Sequence, residues 1–146
     1  MIRLGMYGSD LSEHPVDALR RYNLEAGDNR EIIEPDDNQL FIDIDNKDDL
    51  NLLYAMLDTL QLNGVAATVE RVTPSRTEGH YHAVVRLDRT IDSVTRVAFQ
   101  ACLGSDRKRE LLSLLRIVLG LNRPPTVFFE VPAEKESRFD DDDIPF

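Results

Sequence analysis

The strongest constraint on the fold is an alternating stretch at residues 39–45, QLFIDID. Side chains of a β-strand point to opposite faces in turn, so this pattern predicts a strand with one face against a core. The core face carries three aliphatic residues: Leu40, Ile42 and Ile44. The other face carries Phe41, Asp43 and Asp45. The aliphatic side must therefore meet a second layer of structure.

Further elements follow the same reasoning. Alternation and bounding turn residues predict strands at 65–72, 80–87 and 126–131. One helix is predicted between a capping Asn46 and a terminating Asn63-Gly64 pair. Apolar residues at helical spacing predict helices at 91–103 and 105–120, the latter capped by Ser105.

The resulting order, β-α-β-β-α-α-β, predicts an α+β fold. Without its additional helix it is the split-βαβ arrangement, which is ferredoxin-like or RRM-like, with helices on one face of the sheet. In that topology the first and third strands are neighbours and the fourth flanks the first. The chain then divides into an N-terminal extension (1–37, with a short helix at 16–22), an RRM-like core (38–132), and a flexible linker with an acidic tail (133–146).

This topology brings chemically active side chains from three strands onto the open face of the sheet. They are Phe41, Asp43, Asp45, His80, His82, Arg86, Phe128 and Glu130. Carboxylates held close together repel each other unless a cation lies between them, and oxygen ligands suit Mg²⁺ or Mn²⁺. The alternative is an ordinary solvated sheet face.

Three segments on this face resemble motifs of the archaeo-eukaryotic primase-polymerases, whose palm is RRM-like. They are LFIDID, TPSRTEGHYHAVVRL and TVFFE, and the resemblance spans about 39–131. It implies a metal-dependent nucleotidyltransferase that uses Mg²⁺ or Mn²⁺. Asp43, Asp45 and Glu130 would be the metal ligands. His82 would contact nucleotide phosphate, and His80 matches that role less well.

His80-Tyr81-His82 is also similar to the histidine motif of rolling-circle nucleases. Those enzymes use a tyrosine nucleophile, commonly on a helix beyond that strand. The chain has no tyrosine after Tyr81, so this interpretation would need Tyr7, Tyr22 or Tyr54 in an unusual order.

Cations near the start of the last predicted helix suggest phosphate binding. They are Arg107, Lys108 and Arg109. A bound anion would relieve their conflict with the helix dipole. The alternative is that Asp106 and Glu110 offset these cations at a solvated helix end. Phe41 and Phe128 could stack on bases, as sheet aromatics do in RRM domains, or could be covered by the N-terminal segment.

The last eight residues, FDDDDIPF, combine acids with apolar end residues. They are Phe139, Asp140, Asp141, Asp142, Asp143, Ile144, Pro145 and Phe146. Such a peptide suits a pocket with a basic rim, an apolar slot for the final ring and a cation for its carboxylate. It closely resembles the C-terminal tip of bacterial single-stranded DNA-binding proteins (SSB). The resemblance implies docking onto repair nucleases, helicases, primosome components or primase. The alternative is an acidic tail that only aids solubility.

The rest of the composition restricts the covalent cross-links, the location and the ligands that we expect. A single cysteine, Cys102, excludes an internal disulfide and a cysteine zinc site. Residues 1–8 contain no apolar run, so we expect no signal peptide, no membrane span and a cytoplasmic protein in a bacterial host. The net charge of −10 disfavours general polyanion binding and makes local charge decisive.

Two functions fit these features. The first is a minimal primase-polymerase-like enzyme of a bacterial virus or mobile element that acts on single-stranded DNA and uses the tip to recruit host proteins. The second is a non-enzymatic single-stranded DNA-binding protein on a fold other than the OB-fold. Its tip would recruit host replication and repair proteins or compete for them.

Overall fold

A computed structural model describes residues 14–27 and 30–130. Over these residues the chain is an α+β protein with four helices and two antiparallel sheets, which confirms the predicted class. The elements in chain order are α1 (Pro15–Glu25), β1 (Glu31–Ile33), β2 (Gln39–Ile44), α2 (Lys47–Leu62), β3 (Ala67–Pro74), β4 (Tyr81–Leu87), α3 (Ser93–Cys102), α4 (Arg107–Val118) and β5 (Phe128–Glu130). No helix among the described residues has the length and apolarity needed to cross a membrane.

The larger sheet has three antiparallel strands in the order β2-β4-β3. This order is compatible with the ferredoxin-like arrangement, because the first and third predicted strands are neighbours. β3 starts two residues later than predicted. The Val65 N–H donates to the Leu60 carbonyl oxygen at 3.0 Å, which keeps Val65 in the turn that ends α2.

The aliphatic face of this sheet builds the main core. Leu53 and Leu57 of α2 pack against it, together with Leu103 at the end of α3. The buried strand residues are Leu40, Ile42, Ile44, Ala67, Ala83, Val85 and Leu87. Period-two alternation on β2 and β4 therefore identified the residues that face the helices.

The last strand does not flank β2, and that part of the predicted topology is wrong. β5 pairs instead with β1, a three-residue strand that the sequence did not reveal, with Ile32 opposite Phe129. This β1–β5 ribbon packs against the polar face of the sheet, where the Phe128 ring stacks on Phe41 and His82.

Side chains from the α3–α4 region occupy the edge of β2 where a fourth strand was expected. The Phe41 N–H donates to Gln100 Oε1 at 2.8 Å, and the Phe41 carbonyl accepts from Arg109 at 2.6 Å. The Asp43 N–H donates to Ser105 Oγ at 3.0 Å. Buried backbone groups must find partners, and these side chains supply them. The backbone groups at this edge of β2 therefore have hydrogen-bond partners without another strand.

This arrangement corrects the predicted cap of α4. Asp106 is the N-cap residue, because its Oδ1 accepts from the Lys108 N–H at 3.0 Å. Ser105, which the sequence suggested as the cap, is buried. Its hydroxyl donates to Glu110 at 2.7 Å and accepts from the backbone of β2.

Candidate functional site

The predicted acids and histidines of β2 and β4 come together across two adjacent strands. Asp43 and His82 are direct partners in the antiparallel register. One step further along, His80 Nδ1 lies 3.3 Å from Asp45 Oδ1. Alternation places Asp43 and Asp45 on one face. The β2–β4 pairing places His82 opposite Asp43, and His80 lies beside Asp45 just beyond the paired residues. We call Asp43, Asp45, His80, His82 and Glu130 the carboxylate–histidine cluster.

Glu130 joins this cluster from the β1–β5 ribbon. Its two carboxylate oxygens accept hydrogen bonds of 2.9 and 3.0 Å from the Arg71 guanidinium. His82 Nδ1 lies 3.5 Å from Glu130 Oε2. Burial favours the protonated acid, but hydrogen bonds from His82 and Arg71 outweigh it and lower the pKa of Glu130 to about 2. The carboxylate therefore stays ionised and is held by a fork of two charge-assisted bonds.

Asp45 has the opposite electrostatics. Burial raises the pKa of its carboxyl, and repulsion from Asp106, Asp43 and Asp49 raises it further, while His80 opposes these effects. The Asp45 end of the cluster thus carries an excess of negative charge, whereas the Glu130 end is balanced by a guanidinium.

Glu130, one of the three predicted metal ligands, is bound to Arg71 in this structure. Both Glu130 oxygens accept from Arg71, so a divalent cation shared with Asp43 and Asp45 would have to compete with this guanidinium. Within residues 14–27 and 30–130, no group of three His, Cys, Asp or Glu side chains is placed to hold a metal ion.

The two aromatic residues that were predicted to stack on bases are interior. Phe41 and Phe128 are each 2 % exposed, with their ring centroids 4.5 Å apart. The Phe128 ring also stacks on His82, with the two ring centroids 4.0 Å apart, and Ile33 of β1 packs against Phe41 and Phe128. The expectation of an open face is therefore wrong here, and the alternative of cover by the N-terminal segment is confirmed through Ile33. Neither ring offers a face to a base in this structure.

Some of the residues predicted to bind phosphate are hydrogen-bonded within the protein, and others are exposed to solvent. Arg86 donates to Glu70, Asn38 and Asp36. Its guanidinium is thus engaged within the protein.

Arg109 is also engaged. It donates to the backbone carbonyls of Phe41 and Val127, to Glu110 and to Ser105, and its guanidinium lies 5.1 Å from the Phe128 ring centroid. Arg107 and Lys108 are the two exposed members of the predicted set. They remain accessible to an anion.

Sequence reasoning missed the residues that hold the cluster in place. Arg71 belongs to a predicted strand, and only a pairing of distant segments shows that it meets Glu130. Glu110 was expected at a solvated helix end but is 2 % exposed. Its carboxylate accepts from Arg109, Gln100 and Ser105 at 2.7–2.8 Å. A buried charge usually has such partners, but the residues near it in the sequence do not show which ones they are.

The C-terminal residues predicted to bind partner proteins lie outside the described residues. They are Phe139, Asp140, Asp141, Asp142, Asp143, Ile144, Pro145 and Phe146. No family model, curated protein or solved structure matches this chain. The resemblances to the primase-polymerases and to the SSB tip therefore stay predictions.

Proposed function

We propose that this chain is a non-enzymatic DNA replication or repair protein of a bacterial virus or mobile element. Residues 139–146 would dock onto the host proteins that read the SSB tip and act on single-stranded DNA. The observation that carries the proposal is the sequence FDDDDIPF, in which four acids precede Ile-Pro-Phe. A solubility tail accounts for the acids but not for the apolar end.

The recognition chemistry follows from the order of these residues. The aspartates meet a basic rim, and the ring of Phe146 fills an apolar slot. In a protein that ends at Phe146, the terminal carboxylate pairs with an arginine or lysine at the base of that slot. Anchoring by one buried aromatic residue is typical of peptide docking, where a few residues dominate the affinity.

The folded body supports a binding role over a catalytic one. Glu130 and His82 of the carboxylate–histidine cluster are engaged with Arg71 and Phe128, and these contacts hold the β1–β5 ribbon on the sheet. Two of the side chains that a nucleotidyltransferase would use, Glu130 and His82, thus take part in packing and ion pairing. Arg107 and Lys108 are exposed and would be available to nearby DNA phosphates.

A peptide experiment tests the docking proposal directly. FDDDDIPF would compete with a fluorescent SSB tip peptide for a bacterial repair nuclease that binds the SSB tip, with fluorescence anisotropy as the readout. We expect displacement by the free-acid peptide and at least tenfold weaker displacement by its amidated form, because amidation removes the charged carboxylate. A peptide of the same composition with Phe146 moved to an internal position is the control. Equal displacement by all three peptides would contradict the proposal.

A second candidate is primase-polymerase-like nucleotidyl transfer. Its specific support is that residues from the three predicted motifs meet around His82, with Asp43 opposite it in the register and Glu130 3.5 Å away. Primed-template extension with Mg²⁺ or Mn²⁺ would be compared between wild type and Asp43→Ala/Asp45→Ala. Extension that is lost in the double variant would establish this candidate in place of the non-enzymatic role. Absence of extension in wild type would favour the binding role.

A further inference from the structure

An apolar groove runs between α3 and α4. It has a volume of about 320 Å³. Its lining includes Val94, Ala98, Ala101, Leu111 and Leu114. Leu111 is 56 % exposed, and Val94 is 49 % exposed. Large apolar side chains grouped in this way commonly mark a site that binds another segment or protein.

One end of this groove carries two exposed cations. Arg107 lines the groove, and the exposed Lys108 is its neighbour at the start of α4. Arg107 also borders an adjoining pocket that contains Asp45, Asp49 and Asp106. Glu110 also lines the groove, but Arg109, Gln100 and Ser105 satisfy its carboxylate. Asp106 binds the N–H of Lys108 as the N-cap of α4. The helix dipole adds positive potential at this end. The groove thus joins an apolar slot to a rim that carries two exposed cations.

This is the chemistry expected of a site for FDDDDIPF. We propose that the α3–α4 groove binds the chain's own residues 139–146, with Asp140–Asp143 near Arg107 and Lys108 and with Ile144–Phe146 along the apolar lining. This inference rests on the proposed function of the tip as a docking peptide, and it adds a site within the same protein that competes with the partner for it.

Dimensions are compatible with this placement. From Arg107 to Leu114 the axis of α4 rises about 10 Å, and three extended residues span about the same length. Residues 131–138 separate β5 from residues 139–146, and eight residues reach at most about 26–29 Å. A domain of about 100 residues has a radius of gyration of about 13 Å, so a linker of this length can pass from one face to another.

A consequence is that the tip exists in two competing states. A partner can bind it only in the fraction of molecules in which the groove has released it, so the apparent affinity falls by that fraction. Substitutions that weaken the groove, without touching the tip, should therefore strengthen partner binding. The body would act as a regulator of its own tail.

Disulfide trapping tests the placement in the full chain, in a Cys102→Ser background that removes the native thiol. The test variant carries Leu111→Cys and Pro145→Cys. The matched control carries Leu62→Cys and Pro145→Cys, because Leu62 is 86 % exposed and does not line the groove. Under mild oxidation we expect an internal disulfide to form at least tenfold faster in the test variant. Adding Arg107→Glu/Lys108→Glu should slow it several-fold. Equal rates in the two cysteine pairs, or a disulfide that joins two chains, would overturn the proposal.

Partner binding separates this inference from the function on which it rests. If the nuclease fails to bind the FDDDDIPF peptide but the internal disulfide forms selectively, the proposed function fails and the groove assignment stands. If the peptide binds the nuclease but both cysteine pairs react equally, the function stands and the groove assignment fails. If the peptide binds the nuclease and the internal disulfide also forms selectively, Arg107→Glu/Lys108→Glu should tighten nuclease binding by the full chain several-fold. Unchanged or weaker binding would contradict the competition between the groove and the partner.

Discussion

The two faces of the β2-β4-β3 sheet are covered by segments from different parts of the chain. The aliphatic face is covered by helices that follow its strands closely in the sequence, and its core is formed by leucine, isoleucine, valine and alanine. The other face is covered by the β1–β5 ribbon, whose strands come from distant parts of the chain and bring Ile33, Phe128 and Glu130. A face that looks polar in the sequence can therefore hold a second core, provided that each charged group on it finds a partner.

The largest expected effect tests whether this second core contributes to folding. Phe41→Ala removes a ring that is 2 % exposed and leaves Phe128 without its stacking partner. We expect the free energy of unfolding to fall by about 3–5 kcal/mol in urea denaturation. Tyr54→Ala, at an exposed aromatic position, is the control and should cost less than ~0.5 kcal/mol. Equal small losses in both variants would mean that Phe41 is free for other ligands.

The next effect concerns the ion pair that closes the polar face. The pKa of Glu130 is lowered to about 2 in the folded protein, below the value of 4.5 expected when unfolded. The carboxylate therefore stabilises the fold above pH 4.5, and this contribution is lost as the pH falls towards 2. At neutral pH it is at most roughly 3 kcal/mol.

Glu130→Gln should remove this contribution and flatten the dependence of unfolding free energy on pH below 4.5. Arg71→Gln should have a smaller effect in the same direction, because it removes one of the two partners that lower the pKa of Glu130. Chemical denaturation at a series of pH values measures both variants. A slope that stays unchanged in both would show that this pair does not hold the ribbon.

A smaller effect is expected at the edge of β2. Gln100→Leu changes the side-chain volume little but leaves the Phe41 N–H without its acceptor. An unsatisfied buried donor costs about 1–3 kcal/mol, and that loss should appear in urea denaturation. Asn51→Leu, on an exposed part of α2, serves as the comparison. Full stability of Gln100→Leu would imply that this edge does not depend on side chains from α3.

The smallest effect on folding is expected at Arg107 and Lys108, where neither face of the β2-β4-β3 sheet is involved. Arg107→Glu/Lys108→Glu should change stability by less than ~0.5 kcal/mol, since both side chains are exposed. If they contact DNA, the slope of log affinity against log salt for single-stranded DNA should fall by about 1.4. Anisotropy across a salt series measures this, with Lys47→Glu as the control. An unchanged slope would exclude these cations from strand binding.

The sequence predicted most of the helical side of this fold. Leu40, Ile42 and Ile44 alternate on one strand, so their burial follows from local geometry alone. The adjacency of the strands that carry Asp43 and His82 also followed, because a ferredoxin-like order makes these strands neighbours. Both inferences needed only a repeating pattern and a short connection.

The rest depends on long-range pairing. Residues 31–33 are too few to show a strand pattern, and nothing local indicates that they pair with 128–130. Without that ribbon, Phe41 looks exposed and Glu130 looks free to bind a metal. The roles of Arg71 and Glu110 are likewise set by partners far away in the chain or in space.

The central claim is that the last residues of the chain, rather than the carboxylate–histidine cluster, carry its function. The most direct measurement is the affinity of the whole protein for a bacterial repair nuclease that binds the SSB tip, before and after deletion of residues 144–146. We predict that deletion weakens binding at least tenfold, while Asp43→Ala/Asp45→Ala leaves it unchanged. Equal binding before and after the deletion would contradict the account.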